Sequence, residues 1–357
     1  MKGSLTNKDH FLSIGVMSGT SLDGLDLAAA EIRYNEGSWQ FNLLHATSIS
    51  YNEKWEERLK QAPVMSGEEL TRLHFKYGKY IAKQVRKFVD SNKLMPDLIA
   101  SHGHTVFHQP DEGFTLQIGS GEVIAKTTGI RTIADFRTGD VALGGQGAPL
   151  VPVGDRLLFS EYDFCLNLGG FANISFKNNG NHIAFDICPV NIVLNPLAEK
   201  FGLKFDKDGE LGRQGKVDNN LLEQLNSLTF YSEKHPKSLG REWVEKYVLP
   251  ILQNSPVSDK NKLRTFYEHI AIHIAASVSG KGKMLVTGGG AFNRFLIERI
   301  KAHCPVEIII PEKELIEFKE ALVFAFLGVL RWLGIDNCLA SVTGASRNNS
   351  SGVVYLP

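Results

Sequence analysis

Gly15-Val-Met-Ser-Gly-Thr-Ser-Leu-Asp-Gly-Leu-Asp26 joins two apolar segments that both read as strands, Leu12 to Met17 and Leu25 to Ile32. Gly19 and Gly24 open backbone conformations closed to other residues, so that successive N–H groups can converge on an anion. Thr20 and Ser21 add hydroxyl donors, and Leu22 and Leu25 flank the turn. Asp23 and Asp26 would repel a bare phosphate, which points to a bridging divalent cation with oxygen ligands. Asp23 is the first candidate for metal ligand, with Asp26 left open beside it. A plain Asp-Gly hairpin turn fits the same residues.

Outward from this turn, Phe41 to Ile49 supplies a third strand and Ser66 opens a helix. Glu69 completes a capping box with Ser66, and Leu70, Leu73, Tyr77, Ile81, Val85 and Phe88 form one apolar stripe. Leu98–Ser101, a helix near Gly121–Thr127 and a short strand Arg131–Ala134 complete the order β-β-β-α-β-α-β. The second half starts alike. Phe164–Leu168 is a strand, Gly169-Gly170 a turn, and Asn173–Lys177 and His182–Phe185 returning strands. Helical patterns follow at 193–201, 221–228 and 264–278, then the strand Met284–Thr287 ends in Gly288-Gly289-Gly290 before a helix at Phe292–Ala302. Val306–Ile310 is a last strand and Lys319–Leu333 a last helix, with a polar, flexible tail expected at Asn348–Ser351.

The repetition implies a duplicated unit and two domains, residues 1–140 and 141–357, with a seam and hinge in the Gly- and Pro-rich stretch between Asp135 and Tyr162. Basic and acidic residues balance at 39 each, without a basic block interleaved with aromatics, so a dedicated nucleic-acid binder is excluded and a small-molecule partner favoured. The first residues lack the apolar core of a signal peptide, and the longest apolar run, Ala321–Leu330, is about half a membrane span. A soluble, cytoplasmic protein with no membrane partner is expected. Cys165, Cys188, Cys304 and Cys338 lack the spacing of a zinc site or disulfide framework and read as buried free thiols. The charge run Glu312–Glu320 reads as a solvated face.

Glycine turns at Gly19, Gly169 and Gly288 suit two phosphate-facing hairpins, one per half, and a base-facing turn. This is the layout of the actin, sugar-kinase and heat-shock ATPase superfold: an α/β protein of two duplicated actin-like (ribonuclease H-like) domains, mixed β-sheets flanked by helices, with a nucleotide cleft between them. There is no Gly-x-x-x-x-Gly-Lys-Ser/Thr, which argues against a P-loop enzyme. No Gly-x-Gly-x-x-Gly with an acidic residue at the right distance supports a Rossmann dehydrogenase.

The decapeptide Gly15–Gly24, Ser101-His-Gly-His-Thr with His108, Thr115-Leu-Gln-Ile-Gly, Ala134-Asp-Phe-Arg and Gly144-Gly-Gln-Gly-Ala-Pro-Leu-Val-Pro form one part of a pattern. Asn167-Leu-Gly-Gly-Phe-Ala-Asn-Ile-Ser, Gly288-Gly-Gly-Ala-Phe-Asn and Ser341-Val-Thr-Gly-Ala complete it. Together they resemble the anhydro-N-acetylmuramic acid kinases from about Ile14 to Pro357. The resemblance implies ATP and Mg²⁺, and a reaction of cell-wall recycling that opens 1,6-anhydro-N-acetylmuramic acid with water and phosphorylates O6. It maps ATP contacts onto Gly19–Asp26, with Gly169, Gly170, Gly288, Gly289 and Gly290 as further nucleotide-facing positions.

The family's Phe-Asp-Thr-Gly-Pro-Gly-Asn segment maps onto Phe185-Asp186-Ile187-Cys188-Pro189-Val190-Asn191, which makes Asp186 the candidate general base and Asn191 a candidate substrate contact. On spacing alone, a strand-end carboxylate capping a turn is equally open. Ile187, Cys188 and Val190 replace a threonine and two glycines, which puts substrate preference in doubt and keeps a related sugar kinase with an altered substrate as an alternative. His102, His104 and His108 would share one face of a continuing strand, but the resemblance gives them a cleft-lining role rather than zinc, with His102 facing substrate. Asp135, Arg137 and Gln146 are the other substrate candidates. Arg137 could pair with a lactyl carboxylate or form a structural salt bridge. The sequence is compatible with a homodimer, and a non-enzymatic ATP-switched module is the remaining alternative.

Overall fold

The computed structural model describes residues 9–19 and 22–357. Its strands are β1 His10–Ser18, β2 Gly24–Asn35, β3 Ser38–Ser50, β4 Leu98–Ser101, β5 His104–Gln109, β6 Phe114–Ile118 and β7 Thr132–Ala134 in the first half. They continue as β8 Phe164–Leu168, β9 Phe171–Asn178, β10 Asn181–Pro189, β11 Lys283–Thr287, β12 Glu307–Ile309 and β13 Val353–Tyr355. The chain divides into two units: one holds the chain up to Leu158 together with Phe318–Pro357, the other Phe159–Glu317. The first crossing falls in the Gly/Pro stretch where a seam was expected. The second was not expected: the C-terminal residues assigned to the second domain belong with the first unit. β13 pairs antiparallel with β7, and Asn337 clasps Ser351 with hydrogen bonds in both directions. The tail expected to be flexible is therefore tied down, with Ser351 buried.

The two units carry one strand order. In the first the sheet runs β3-β2-β1-β4-β7-β13, and in the second β10-β9-β8-β11-β12. In each, the first three strands form an antiparallel meander, and the first strand pairs in parallel with a strand that in turn pairs in parallel with the next. Alternating apolar residues and glycine or Asn-Gly breaks create the meanders, while helices between the later strands supply the crossovers that parallel pairing needs. The duplicated mixed α/β architecture expected from the sequence is present.

Each unit has its own core. In the first, Leu73, Tyr77, Ile81, Val85 and Phe88 of the helix Gly67–Asn92 bury the expected stripe beside Ile14, Val16 and Leu27 of the sheet. The capping box at Ser66 and Glu69 holds that helix's N-terminus. Helix Lys313–Leu333 lies so close to β1 that a Cβ on Gly15 would collide with the carbonyl of Ala321, and Ser13 Oγ donates to Ala325 O at 2.9 Å. In the second unit, Phe266, Ile270 and Ile274 of helix Asp259–Ala276 are fully buried against β8 and β11 side chains. The run Glu312–Glu320 is not simply a solvated face: Ile316, Phe318 and Lys319 are buried, and Lys319 Nζ lies 2.7 Å from Asp155 Oδ1. All four cysteines are buried, as expected, and no disulfide is recorded among them.

Candidate functional site

In the first unit, β1 and β2 close on the turn that opened the sequence. Thr20 and Ser21 lie outside the described residues. Leu22 has a left-handed backbone, at φ 61°, an uncommon conformation for a branched residue. Gly24 serves close packing: a Cβ there would stand 2.6 Å from the Ile49 carbonyl oxygen across the β2–β3 pair. Asp23 is exposed, and Asp26, opposite Ser48 in register, accepts a hydrogen bond from that hydroxyl. Behind the turn, Ser18 Oγ contacts Tyr51 OH at 2.9 Å and His104 Nδ1 at 3.1 Å, and Tyr51 OH contacts Tyr77 OH. Burial pushes Tyr51 up to about 12 and His104 down to about 4, so this chain is neutral near pH 7.

The three histidines do not form one face. His102 sits between β4 and β5, His104 points to Ser18, and His108 is exposed beside Thr115, because β5 bulges between Thr105 and Phe107. Among the described residues no group of three metal-ligating side chains converges. His102 instead meets Arg137, whose Nε and Nη2 approach its Nε2 at 3.1 and 2.9 Å. A guanidinium only donates, so His102 Nε2 accepts, and Nδ1 carries the proton that it gives to Gly103 O at 2.9 Å. Burial, with the neighbouring Arg137 charge, holds His102 well below its ordinary pKa.

Arg137 Nη1 donates to Gly147 O at 2.7 Å, so its anchor is a neutral ring and a carbonyl rather than the salt bridge considered above. Asp135 does not join it. Asp135 has φ 58° and accepts from Thr138 N at 3.4 Å. Gln146 is exposed, its side chain 3.4 Å from Asp111 Oδ1, while its N–H donates to Thr343 O at 2.8 Å. What fixes the Gly144–Gly147 loop is Asp140, a fully buried residue that sequence reasoning missed. It accepts from Gly147 N, Thr343 Oγ1 and Asn349 Nδ2, each at 2.9 Å. The Ser341-Val-Thr-Gly-Ala block therefore has a structural partner, which was the available signal. Glu320, solvent-accessible on helix Lys313–Leu333, was also missed. Desolvation raises its pKa although Arg137 pulls the other way.

In the second unit, Asp186 lies near the end of β10 at a bulge between Asp186 and Cys188. Its N–H donates to Lys237 O at 3.0 Å, and its Oδ2 accepts from Leu239 N at 2.8 Å. Desolvation raises its pKa against the pull of that N–H. Ile187, Cys188 and Val190, the three departures from the family segment, are buried in the core. Asn191 begins the helix Asn191–Glu199 and its Nδ2 donates to Gly169 O at 2.8 Å, while Val190 N donates to Gly170 O at 2.8 Å. The turn at Gly169-Gly170 is thus sewn to the start of that helix. A Cβ on Gly170 would meet nothing nearer than Ile192 Cβ at 3.9 Å, so this turn faces open space.

The triple glycine divides by role. Gly288, at φ 81°, and Gly290 press on the end of β8, where Cβ atoms would come within 2.6 Å of Asn167 Oδ1 and 2.8 Å of Leu168 Cβ. Only Gly289 is open, with Asn191 Nδ2 4.0 Å from its would-be Cβ, and it lines a pocket of about 1030 Å³ within this unit. Phe205, Phe292 and Ile310, all partly exposed, give the pocket apolar surface. Its frame is Asp206, which accepts from Leu211 N, Gly212 N and Tyr267 OH at 2.9 to 3.0 Å, and Asn293, whose Nδ2 donates to Tyr267 OH at 2.7 Å. Asn293 closes the Gly288-Gly-Gly-Ala-Phe-Asn block, but no sequence signal links it to Asp206 or Tyr267.

The sequence profile described as anhydro-N-acetylmuramic acid kinase matches residues 11–357. The chain belongs to the anhydro-N-acetylmuramic acid kinase family. A family protein of Aliivibrio fischeri is 35% identical over 370 residues, covering 96% of this chain and 98% of that one. One of Caldanaerobacter subterraneus subsp. tengcongensis is 32% identical over 388 residues, covering 98% of each. Among solved structures, the Acidaminococcus fermentans (R)-2-hydroxyglutaryl-CoA dehydratase component A has a TM-score of 0.45 and 13% identity, covering 88% of this chain and 96% of that one. The kinase family's distinctive segments fall in both units, and no helix among the described residues is long and apolar enough to cross a membrane.

Proposed function

We propose that this chain converts 1,6-anhydro-N-acetylmuramic acid and ATP, with water, into N-acetylmuramic acid 6-phosphate and ADP in peptidoglycan recycling. The observation that carries the reading is Asp186. It is a half-buried carboxyl at the position of the family's catalytic aspartate, with one oxygen held by Leu239 N–H and a pKa raised by desolvation. A carboxylate so placed can accept a proton from water. Water then bonds to the anomeric carbon, the bond from that carbon to O6 breaks, and O6 bonds to the γ-phosphorus as the bond to ADP breaks. Asp186 carries the proton until it passes to solvent.

The open turn at Gly169-Gly170 and the open Gly289 suit a phosphate chain, and the apolar pocket beside Gly289 suits a flat base. Gly19–Asp26 is assigned the same phosphate role in the first unit. Mg²⁺ would neutralise phosphate charge, and Asp23 or Asp26 would supply one of its few protein oxygens, consistent with an ion that keeps several waters and takes the rest of its ligands from phosphate. His102, Asp135, Arg137 and Gln146 of the first unit and Asn191 of the second are assigned to the sugar. The hydrogen-bond partners of Arg137 are neutral, so its charge, which couples through space to Glu320, can meet the lactyl carboxylate. Burial of Ile187, Cys188 and Val190 in the core weighs against the reading in which they reshape substrate choice. Four cysteines at which no disulfide is recorded suit a reducing, cytoplasmic compartment.

The test is ADP release with the anhydro sugar beside N-acetylmuramic acid, run in ¹⁸O-water. The expected result is faster turnover of the anhydro sugar, with label on the anomeric carbon of the product. Phosphorylation without label would remove the hydrolytic step, and equal rates on both sugars would remove the substrate assignment.

A further inference from the structure

The segment His235–Leu239 is tied to Asp186 at several points. Backbone groups meet Asp186 from two residues of the segment: Lys237 O accepts from Asp186 N at 3.0 Å, and Leu239 N donates to Asp186 Oδ2 at 2.8 Å. The neighbouring side chain on β10 is also covered, since the His235 ring stacks on Phe185 with centroids 5.4 Å apart and planes at 15°. Lys237 anchors the segment from its other side: its Nζ donates to Phe230 O at 2.8 Å and lies 4.4 Å from the centre of the Phe230 ring. Phe230 is itself buried and packs on Trp243, so the anchor point is rigid.

We propose that His235–Leu239 is a positioning strap for Asp186, latched by Lys237 onto Phe230, and that it selects the carboxylate oxygen that takes the proton. With Oδ2 engaged by Leu239 N–H, Oδ1 is the oxygen left to face water. A hydrogen-bonded carboxylate oxygen also fixes the plane of the group, and positioning errors of about 1 Å cost up to roughly a hundredfold in rate. Lys237 is a positioning residue in this scheme. Its ammonium is engaged by a carbonyl and a ring, and its effect on the reaction runs through the backbone between it and Leu239. The titratable groups whose charge couples to this corner are Cys188 on β10, Lys237 itself, Glu233 and His273, which couple to Lys237, and Tyr231, which couples to Cys188. This inference rests on Asp186 being the base.

The experiment compares Lys237→Met and Lys237→Arg in the full chain, measuring kcat, KM for each substrate, the pH profile of kcat and nucleotide affinity. A loosened strap weakens the N–H bond that favours the ionised carboxylate, so the acid limb of kcat should move upward, by roughly half to one pH unit. For Lys237→Met, kcat is expected to fall about tenfold to a hundredfold, with both KM values and nucleotide affinity within about twofold of the parent. Lys237→Arg, which can still reach a carbonyl and a ring, should recover most of the rate and the original limb. An unshifted acid limb overturns the proposal, as does a loss confined to sugar KM, which would make Lys237 a direct substrate contact. Unchanged nucleotide affinity shows that the second unit is folded. The underlying reading fails separately: if Asp186→Asn retains turnover, Asp186 is not the base, whereas a dead Asp186→Asn beside a parent-like Lys237→Met rejects the strap alone.

Discussion

The two meanders place one carboxylate each near the mouth of the hairpin, on opposite strands. Counted from the start of the second strand, Asp26 in β2 and Asn173 in β9 are equivalent third residues, and their cross-strand partners are Ser48 in β3 and Asp186 in β10. In the first unit the acid is on the middle strand and receives the Ser48 hydroxyl. In the second the acid is on the edge strand, at a bulge, and receives a backbone N–H from a distant segment. The duplicated topology therefore preserves a position while the chemistry differs. Asp26 is bonded by a hairpin neighbour in a regular stretch of its ladder, whereas Asp186 sits at a bulge and is held by a distant segment. Bulges re-aim side chains.

The largest effect that would sharpen this contrast is Asp186→Asn. Removing a general base should lower kcat by about 10²–10⁴ while ATP affinity, read by calorimetry, stays near the parent value. Ser48→Ala, at the equivalent position, removes only one partner of Asp26 and should leave kcat within a few-fold. Comparable turnover in Asp186→Asn would break the comparison at once.

The next contrast concerns a buried ion pair inside the first unit. Asp155 and Lys319 form a buried ion pair between the helices Pro152–Leu158 and Lys313–Leu333, both side chains 7% exposed. Breaking such a pair by removing one partner is strongly destabilising, so Lys319→Met should cost about 3–5 kcal/mol. The loss should appear as a lower midpoint in chemical unfolding. A change below about 1 kcal/mol would mean that Asp155 finds full compensation elsewhere.

Much of the architecture was legible because it rests on local signals. Strand alternation, glycine turns and one capping box define the meanders and the helix Gly67–Asn92, and the repeated order follows from them. What was not legible depends on distant partners. Val353–Tyr355 becomes a strand only because β7 offers an edge, and Pro152, inside the Gly- and Pro-rich stretch, is the first residue of a helix, where its missing N–H costs nothing. Asp186 was marked by resemblance and not by spacing. The Leu239 N–H that holds it is a backbone group 53 residues away and leaves no side-chain signature. Asp140 was hidden for a related reason: its three partners come from Gly147, Thr343 and Asn349.

A smaller effect separates the glycines of the second unit. Gly290→Ala puts a Cβ 2.8 Å from Leu168 Cβ and should cost about 1–3 kcal/mol of stability by overpacking. Gly170→Ala adds a methyl where the nearest atom is 3.9 Å away, so stability should hold while nucleotide affinity drops. If Gly170→Ala binds ATP normally, the turn is not a phosphate contact.

The smallest predicted effect contrasts the enclosed Asp155–Lys319 pair with a more open hub in the second unit. Glu268 gathers Arg264, Arg299 and His303, drawing helix Asp259–Ala276 to helix Arg294–His303. Those hydrogen bonds outweigh desolvation and pull its pKa from 4.5 to about 2. A carboxyl lowered on folding stabilises the protein above its unfolded pKa, and that contribution is lost as pH falls through the folded value. Its stability should therefore be fully present above about pH 4.5 and fade towards pH 2. Partly exposed Arg299 and His303 limit the contribution to about 1 kcal/mol. Unfolding free energies of the parent and Glu268→Gln should differ most near neutrality and converge at acid pH. A difference that stays constant across that window would assign the hub to packing rather than charge.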